Sequence, residues 1–278
     1  MRHVEGFLQA ARGEKIYYQS WLPDHGTRAA VLLVHGLAEH SGRYSRVVEH
    51  LVPQGFALFG FDHVGHGQSE GTRVYVKAFS CFIEALHQMV NRVQAYVPAH
   101  PAFLYGHSLG ALIAAVYLLE HPATLDGAIL SAPCVKVPAN ISPATVFLAR
   151  ILSRIVPKLS LASVDSSGIS RIPEEVQAYI DDPLVYCGKT TARLGAEMLY
   201  AMQRVEAEAP NIRIPVMILQ GSADTVVDPD GAILLHERIS SLDKTLKIYS
   251  GLFHEIHNEP EHPEVLADVA AWLDERLH

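Results

Sequence analysis

Gly106-His107-Ser108-Leu109-Gly110 joins a run of strand-forming residues, Ala102-Phe103-Leu104-Tyr105, to an apolar helical pattern that begins at Ala111. A strand that turns this sharply into a helix needs glycine where backbone and helix approach closely. The strained turn lifts the central side chain clear of the chain. Gly106 and Gly110 are placed to allow that turn, and Ser108 is the side chain it presents. The pentapeptide alone occurs by chance, so its meaning depends on what else the chain holds in the expected order.

Short runs rich in Val, Ile, Leu and Phe alternate with longer helical patterns, which predicts an α/β fold with a mostly parallel sheet and helices on both faces. Residues Val4 to Ala10 and Lys15 to Leu22 read as an opening hairpin around Arg12-Gly13. Further strands are expected at Ala29 to Val34, Phe56 to Phe61, Ala102 to Tyr105, Gly127 to Ser131, Pro215 to Leu219 and Thr245 to Tyr249, eight in all. Phe79 to Val97 sets Phe82, Leu86, Met89, Val90 and Val93 at helical spacing, one apolar face toward the sheet. Leu109 to Leu119 is apolar all round, as a helix at the centre must be, and stops before Pro122. A last helix is expected from about Glu264 to Leu277.

From about Pro133 to Ile214 the alternation breaks into helical patterns interrupted by prolines. The expected organisation is a core of residues 1–133 and 215–278 with a helical cap, 134–214, inserted between two core strands. Within it Val146, Phe147, Leu148, Ile151, Leu152, Ile155 and Val156 form a broad apolar surface. That surface fits packing onto the core, and equally an entrance that touches lipid or an acyl chain. A membrane or a second subunit would meet it equally well.

The 278 residues, 49% hydrophobic and 19% charged, suffice for one large core or one core with a small appended unit. A formal net charge of −8 argues against nucleic acid and anionic membranes as principal partners, because phosphate binding draws on clustered Lys and Arg. Met1-Arg2-His3-Val4-Glu5 lacks the apolar segment of a signal peptide, and the longest wholly apolar run, Ala111 to Leu119, is too short to cross a bilayer. A cytoplasmic location is therefore expected, with contact at a membrane surface through the cap as its only extension. Cys81, Cys134 and Cys187 form no Cys-x-x-Cys pair and predict neither disulfides nor zinc. His63-Val64-Gly65-His66 lies in a turn without a following carboxylate-bearing helix, so no metal is expected, and these histidines are assigned to organising the loop.

A serine hydroxyl is a weak nucleophile at neutral pH and needs an imidazole to take its proton and a carboxylate to orient that imidazole. When the serine sits on a strand-to-helix elbow, the acid and then the base follow it along the chain. The strand at Pro215 to Leu219 leads to Ser222-Ala223-Asp224, which places Asp224 in a loop at the carboxyl end of the sheet. Asp228 is the competitor, but Asp228-Pro229-Asp230 reads as the cap of a following helix with proline at its first position. The last strand delivers His254, with His257 three residues further on; His254 is preferred because it is nearer the rigid strand end. Donors for a developing oxyanion are expected from the amides of Leu109, directly after the serine, and of Leu37, in the loop after the third strand.

These residues together make the chain resemble the monoacylglycerol lipases of the α/β-hydrolase superfamily, especially bacterial ones. The resemblance spans nearly the whole chain. It rests on 35–44 (His35-Gly36-Leu37-Ala38-Glu39-His40-Ser41-Gly42-Arg43-Tyr44), 62–69 (Asp62 to Ser69), Gly106 to Gly110, Gly221-Ser222-Ala223-Asp224 and Gly251-Leu252-Phe253-His254-Glu255. It implies a triad of Ser108, Asp224 and His254, an oxyanion hole at Leu37 and Leu109, and no cofactor. It also implies a cap with a tunnel for one acyl chain and a polar end for glycerol. Glu39, Arg43 and His257 flank the triad, able to bond glycerol hydroxyls or each other, and Tyr179 is a candidate for the pocket wall. The expected reaction is hydrolysis of a monoacylglycerol ester through an acyl-enzyme, with a broader carboxylesterase, a lysophospholipase or an aminopeptidase using Glu174 and Glu175 as rivals. A hydrolase-shaped binding protein without chemistry is a rival from another class.

Overall fold

The computed structural model describes residues 1–137, 151–160 and 165–277. Eight strands form one sheet, β1 (Arg2–Gln9), β2 (Lys15–Leu22), β3 (Ala29–Val34), β4 (Phe56–Phe61), β5 (Ala102–His107), β6 (Gly127–Ser131), β7 (Val216–Gly221) and β8 (Lys244–Tyr249). Their order is β1-β2-β4-β3-β5-β6-β7-β8. The β1–β2 and β2–β4 pairs are antiparallel and every later pair is parallel, as the buried apolar runs require. The strand count matches the expected eight, and strand ends move by one or two residues. One two-residue shift extends β5 through His107, so the serine follows the strand without a linker.

Period-two alternation sorts the strand side chains onto two cores. In β3, Ala30, Leu32 and Val34 point to one face, Ala29, Val31 and Leu33 to the other. The second face is covered by α1 (Ser45–Leu51) and by a late helix, His262–Asp274, through Val47, Leu51, Val265 and Val269. The first carries α2 (Ser80–Tyr96), α3 (Leu109–Glu120), and two helices from further along the chain, Ala192–Glu208 and Asp230–Arg238. In α3 every residue from Leu109 to Leu118 is buried, which explains its lack of a polar face. Burying Leu112 and Ile113 stabilises by about 1.5–3 kcal/mol each, outweighing the 0.5–1 kcal/mol or so that Gly110 costs inside a helix.

Between β6 and β7 the described residues contribute no strand to the sheet. They hold helical residues 151–155, α4 (Pro173–Asp181) and α5 (Ala192–Glu208), before α6 (Asp230–Arg238) and α7 (His262–Asp274) complete the chain. Of the apolar surface expected here, Ile151, Ile155 and Val156 are exposed, Ile155 at 71%. Val146, Phe147 and Leu148 lie outside the described residues. Among those described, no helix is long and apolar enough to cross a membrane, and no cluster of His, Cys, Asp or Glu has a metal-holding arrangement.

Candidate active site

All the loops that carry the expected residues leave the carboxyl ends of parallel strands, where an open α/β sheet offers a crevice. Ser108 sits between β5 and α3 with φ 54° and ψ −117°, a conformation that costs on the order of 1–3 kcal/mol for a residue with a side chain. The turn is held on both sides. Its amide donates to the Ser131 carbonyl at 2.9 Å, and its carbonyl accepts from Ala111 and Leu112 at 3.1 and 3.2 Å. A Cβ on Gly106 would lie 2.6 Å from the Gly110 carbonyl oxygen, and one on Gly110 only 1.8 Å from that of Val34. Both positions exclude any side chain because backbone lies against backbone.

Asp224 is buried in the loop after β7. One carboxylate oxygen, Oδ1, accepts from the amides of Val226 and Val227 at 2.8 and 3.0 Å. The other, Oδ2, accepts from Gln220 Nε2 at 3.0 Å and meets His254 Nδ1 at 2.7 Å. Burial pushes this carboxyl up, but His254 and these donors together hold it below the usual carboxylate range, so it stays ionised. With Nδ1 committed to Asp224, Nε2 is the ring nitrogen of His254 left for another partner. His254 and Ser108 line the same cavity, of about 140 Å³. Among the described residues no hydrogen bond joins the Ser108 hydroxyl to the ring, and a catalytic bond of this kind often tightens only on substrate.

Asp228 is placed elsewhere. It pairs with Lys136 at 2.7 Å and accepts from the Asp230 amide at 3.0 Å, which secures the start of α6; Pro229 occupies the cap position just before the first helical residue. Leu109 opens α3, so its N–H is one of the amides a helix cannot use internally, at the positive end of the helix dipole. Leu37 follows β3 and lines the cavity.

The remaining expected residues meet in one buried cluster. Arg43 Nη2 contacts both oxygens of Glu255, at 2.7 and 3.0 Å, its Nε stands 3.4 Å from Glu39 Oε2, within ion-pair range but without hydrogen-bond geometry, and its guanidinium lies 4.7 Å from the Tyr179 ring centre. Glu39 also accepts from the Tyr44 hydroxyl at 2.8 Å and from the Gly36 amide. Burial, then the negative charge of Glu255, pushes Glu39 up. Burial acts the same way on Glu255, but Arg43, His257 and Asn258 outweigh it and hold that carboxyl low. Glu39, Tyr179 and Glu255 reach the cavity wall, whereas Arg43 and His257 stand behind it, His257 stacked on Tyr44 with ring centres 5.0 Å apart. Leu37, Cys134, Ile169, Met198, Val226 and Val227 supply apolar lining. Glu255, Gln220 and Cys134 were given no role in the site from sequence. A glutamate beside the expected base was their one visible signal.

An elbow serine, a buried aspartate–histidine pair and amides at a helix start, all at one end of such a sheet, define a serine hydrolase of the α/β type. The family model described as serine aminopeptidase, S33, matches residues 25–261. Monoglyceride lipase from Rattus norvegicus is 39% identical over 273 residues, covering 97% of this chain and 90% of its own, and monoacylglycerol lipase from Mycolicibacterium smegmatis is 35% identical with 95% of each chain covered. The crystal structure of the Paleococcus ferrophilus monoacylglycerol lipase superposes with a TM-score of 0.83 at 32% identity, covering 99% of this chain and 100% of that one. The chain belongs to this family of α/β-hydrolases, alongside the monoacylglycerol lipases.

Proposed function

We propose that the protein hydrolyses monoacylglycerols to glycerol and a free fatty acid. The observation that carries this reading is the 2.7 Å contact of His254 with the buried, ionised Asp224 on the cavity that Ser108 also lines. His254 Nε2 takes the Ser108 proton as the hydroxyl oxygen attacks the ester carbonyl. The carbonyl oxygen, now negative, is received by the amides of Leu37 and Leu109, each donor worth about 2.7–4 kcal/mol. Collapse breaks the ester C–O bond, and His254 returns the proton to the leaving glycerol oxygen. Water, deprotonated by the same imidazole, then attacks the acyl-enzyme; fatty acid leaves and Ser108 regains its proton. No metal or organic cofactor enters these steps.

The cavity's apolar lining suits the start of one acyl chain, and its polar wall suits glycerol hydroxyls through Glu39 and Tyr179, with Arg43 and His257 holding that wall in place. The described residues between 134 and 214 serve as the cap over this site, with Cys134, Ile169, Tyr179 and Met198 on its wall. Exposed Ile151, Ile155, Val156 and Leu159 give the cap an apolar face for brief contact with a lipid surface, from which a water-insoluble substrate is drawn.

The aminopeptidase reading needs a free carboxylate for a peptide amine. In the cavity Glu39 and Glu255 are both engaged by Arg43, and in α4 Glu175 pairs with Arg46 while Glu174 is exposed. A fluorophosphonate probe is expected to label the wild-type protein and not Ser108→Ala, and initial rates are expected to favour monoacylglycerols over di- and triacylglycerols, lysophospholipids and peptide amides. Equal labelling of both proteins, or of neither, removes the hydrolase reading. A tenfold preference for triacylglycerol removes the single-chain substrate.

A further inference from the structure

The geometry points to His35 as the positioning residue for one oxyanion donor, acting on the Leu37 amide through the peptide that precedes it. This rests on the proposed role of Leu37. The bonds involved are few. His35 Nδ1 lies 2.8 Å from the carbonyl oxygen of Gly36, and His35 Nε2 lies 2.9 Å from the backbone nitrogen of His63. A backbone N–H can only donate, so Nε2 carries a lone pair. In a neutral imidazole the proton then sits on Nδ1, which donates to Gly36. His35 is fully buried against His63, their ring centres 4.0 Å apart, where a charged ring would be costly.

The carbonyl of Gly36 and the N–H of Leu37 belong to one planar trans peptide, on opposite edges of it. Gripping the carbonyl from one side therefore aims the N–H to the other. The peptide before it is held as firmly. The carbonyl of His35 accepts from His63 Nε2 at 2.9 Å, and the Gly36 N–H is taken by Glu39 Oε1. Of the four polar groups in these two consecutive peptides, buried side chains occupy three. The fourth, the Leu37 N–H, remains for the substrate oxygen, and no reorganisation is needed when charge develops there. His63, assigned from sequence to organising its own turn, thereby fixes the tautomer of His35 as well.

Two substitutions separate this role from simple packing. Asparagine places an amide nitrogen where Nδ1 stands and keeps a donor for the Gly36 carbonyl. Glutamine reaches the Nε2 position, keeps an acceptor for His63 and loses the donor to Gly36. His35→Gln is expected to lower kcat for a chromogenic ester about 10- to 100-fold with KM changed less than about twofold, short of the 10²–10³ seen when such a donor is removed outright. Affinity for a trifluoromethyl ketone, whose serine adduct places an oxyanion in the hole, falls by the same factor. His35→Asn regains most of both. Unchanged kcat in His35→Gln, or equal losses in the two variants, overturns the proposal. Should a variant fail to fold, nitrogen NMR of the wild-type ring decides: a protonated Nδ1 with a bare Nε2 supports the role, and the opposite tautomer overturns it. An inactive wild-type protein would instead remove the hydrolase reading itself.

Discussion

Arg43 grips both carboxylate oxygens of Glu255 across 212 positions of sequence, at 2.7 and 3.0 Å, with both side chains less than one-tenth exposed. Glu39 lies within 3.4 Å of the same guanidinium, so one cation serves two buried carboxylates.

Removing that cation should be severe. Arg43→Ala leaves Glu39 and Glu255 facing each other without compensation, and the expected loss is about 3–5 kcal/mol of unfolding free energy. Arg43→Lys should recover less than half, because an ammonium cannot match both oxygens of Glu255. Urea unfolding checks both; a loss below about 1 kcal/mol for the alanine variant would contradict the pairing.

The two candidate aspartates should separate by activity. Asp224→Asn keeps the shape of the site but offers His254 the wrong hydrogen-bond partner, and kcat for a soluble ester is expected to fall about 10⁴-fold. Asp228→Asn should leave kcat within about twofold, because that carboxylate is engaged with Lys136 and the Asp230 amide. The reverse ranking would exchange the two roles.

Stability should decline on mild acidification. Burial, against an opposing pull from Glu255, lowers the His257 ring to about 4, and burial lowers His66 to about 4 and His63 to about 3. Below pH 6.5 the unfolded chain takes up protons that these folded rings refuse. Each therefore contributes stability that is complete above about pH 6.5 and is lost, at about 1.4 kcal/mol per pH unit, as pH falls toward its folded pKa. His257→Phe, which preserves a ring against Tyr44, should reduce the slope of unfolding free energy between pH 6 and about 4.5 by roughly that amount. An unchanged slope would mean that His257 titrates normally.

The exposed cap residues should matter only at a lipid surface. For Ile155→Glu, the ratio of turnover on monoacylglycerol in phosphatidylcholine vesicles to turnover on a soluble short-chain ester is expected to drop about tenfold, the equivalent of forfeiting roughly 1.5 kcal/mol of side-chain burial. A constant ratio would take this face out of substrate capture.

The centre of the sheet was legible because β3 to β7 are buried throughout and so read as short apolar runs. The loop positions of Ser108 and Asp224 were legible because each closely follows the end of such a run, and that of His254 because it follows the last strand, β8. The Arg43–Glu255 pair was not, since it joins loops after β3 and β8, two strands that three others separate in the sheet, and neither spacing along the chain nor strand adjacency announces it. Nor was Cys134 in the cavity lining, or the bond from His63 to His35, which depends on β4 lying beside β3. Local pattern also placed proline one residue too far into α6, because Asp228 secures that helix from two residues before its start.

The close approach at Gly110, where a Cβ would lie 1.8 Å from the Val34 carbonyl oxygen, has a mechanical consequence. The helix that follows the serine abuts the very end of β3, from which the loop carrying Leu37 departs, so the separation between the Ser108 hydroxyl and the amide proposed to receive the oxyanion is gauged by two touching main chains. Drift in the lining, or a wholesale change of the segment between β6 and β7, can alter which esters enter while that gauge keeps its setting.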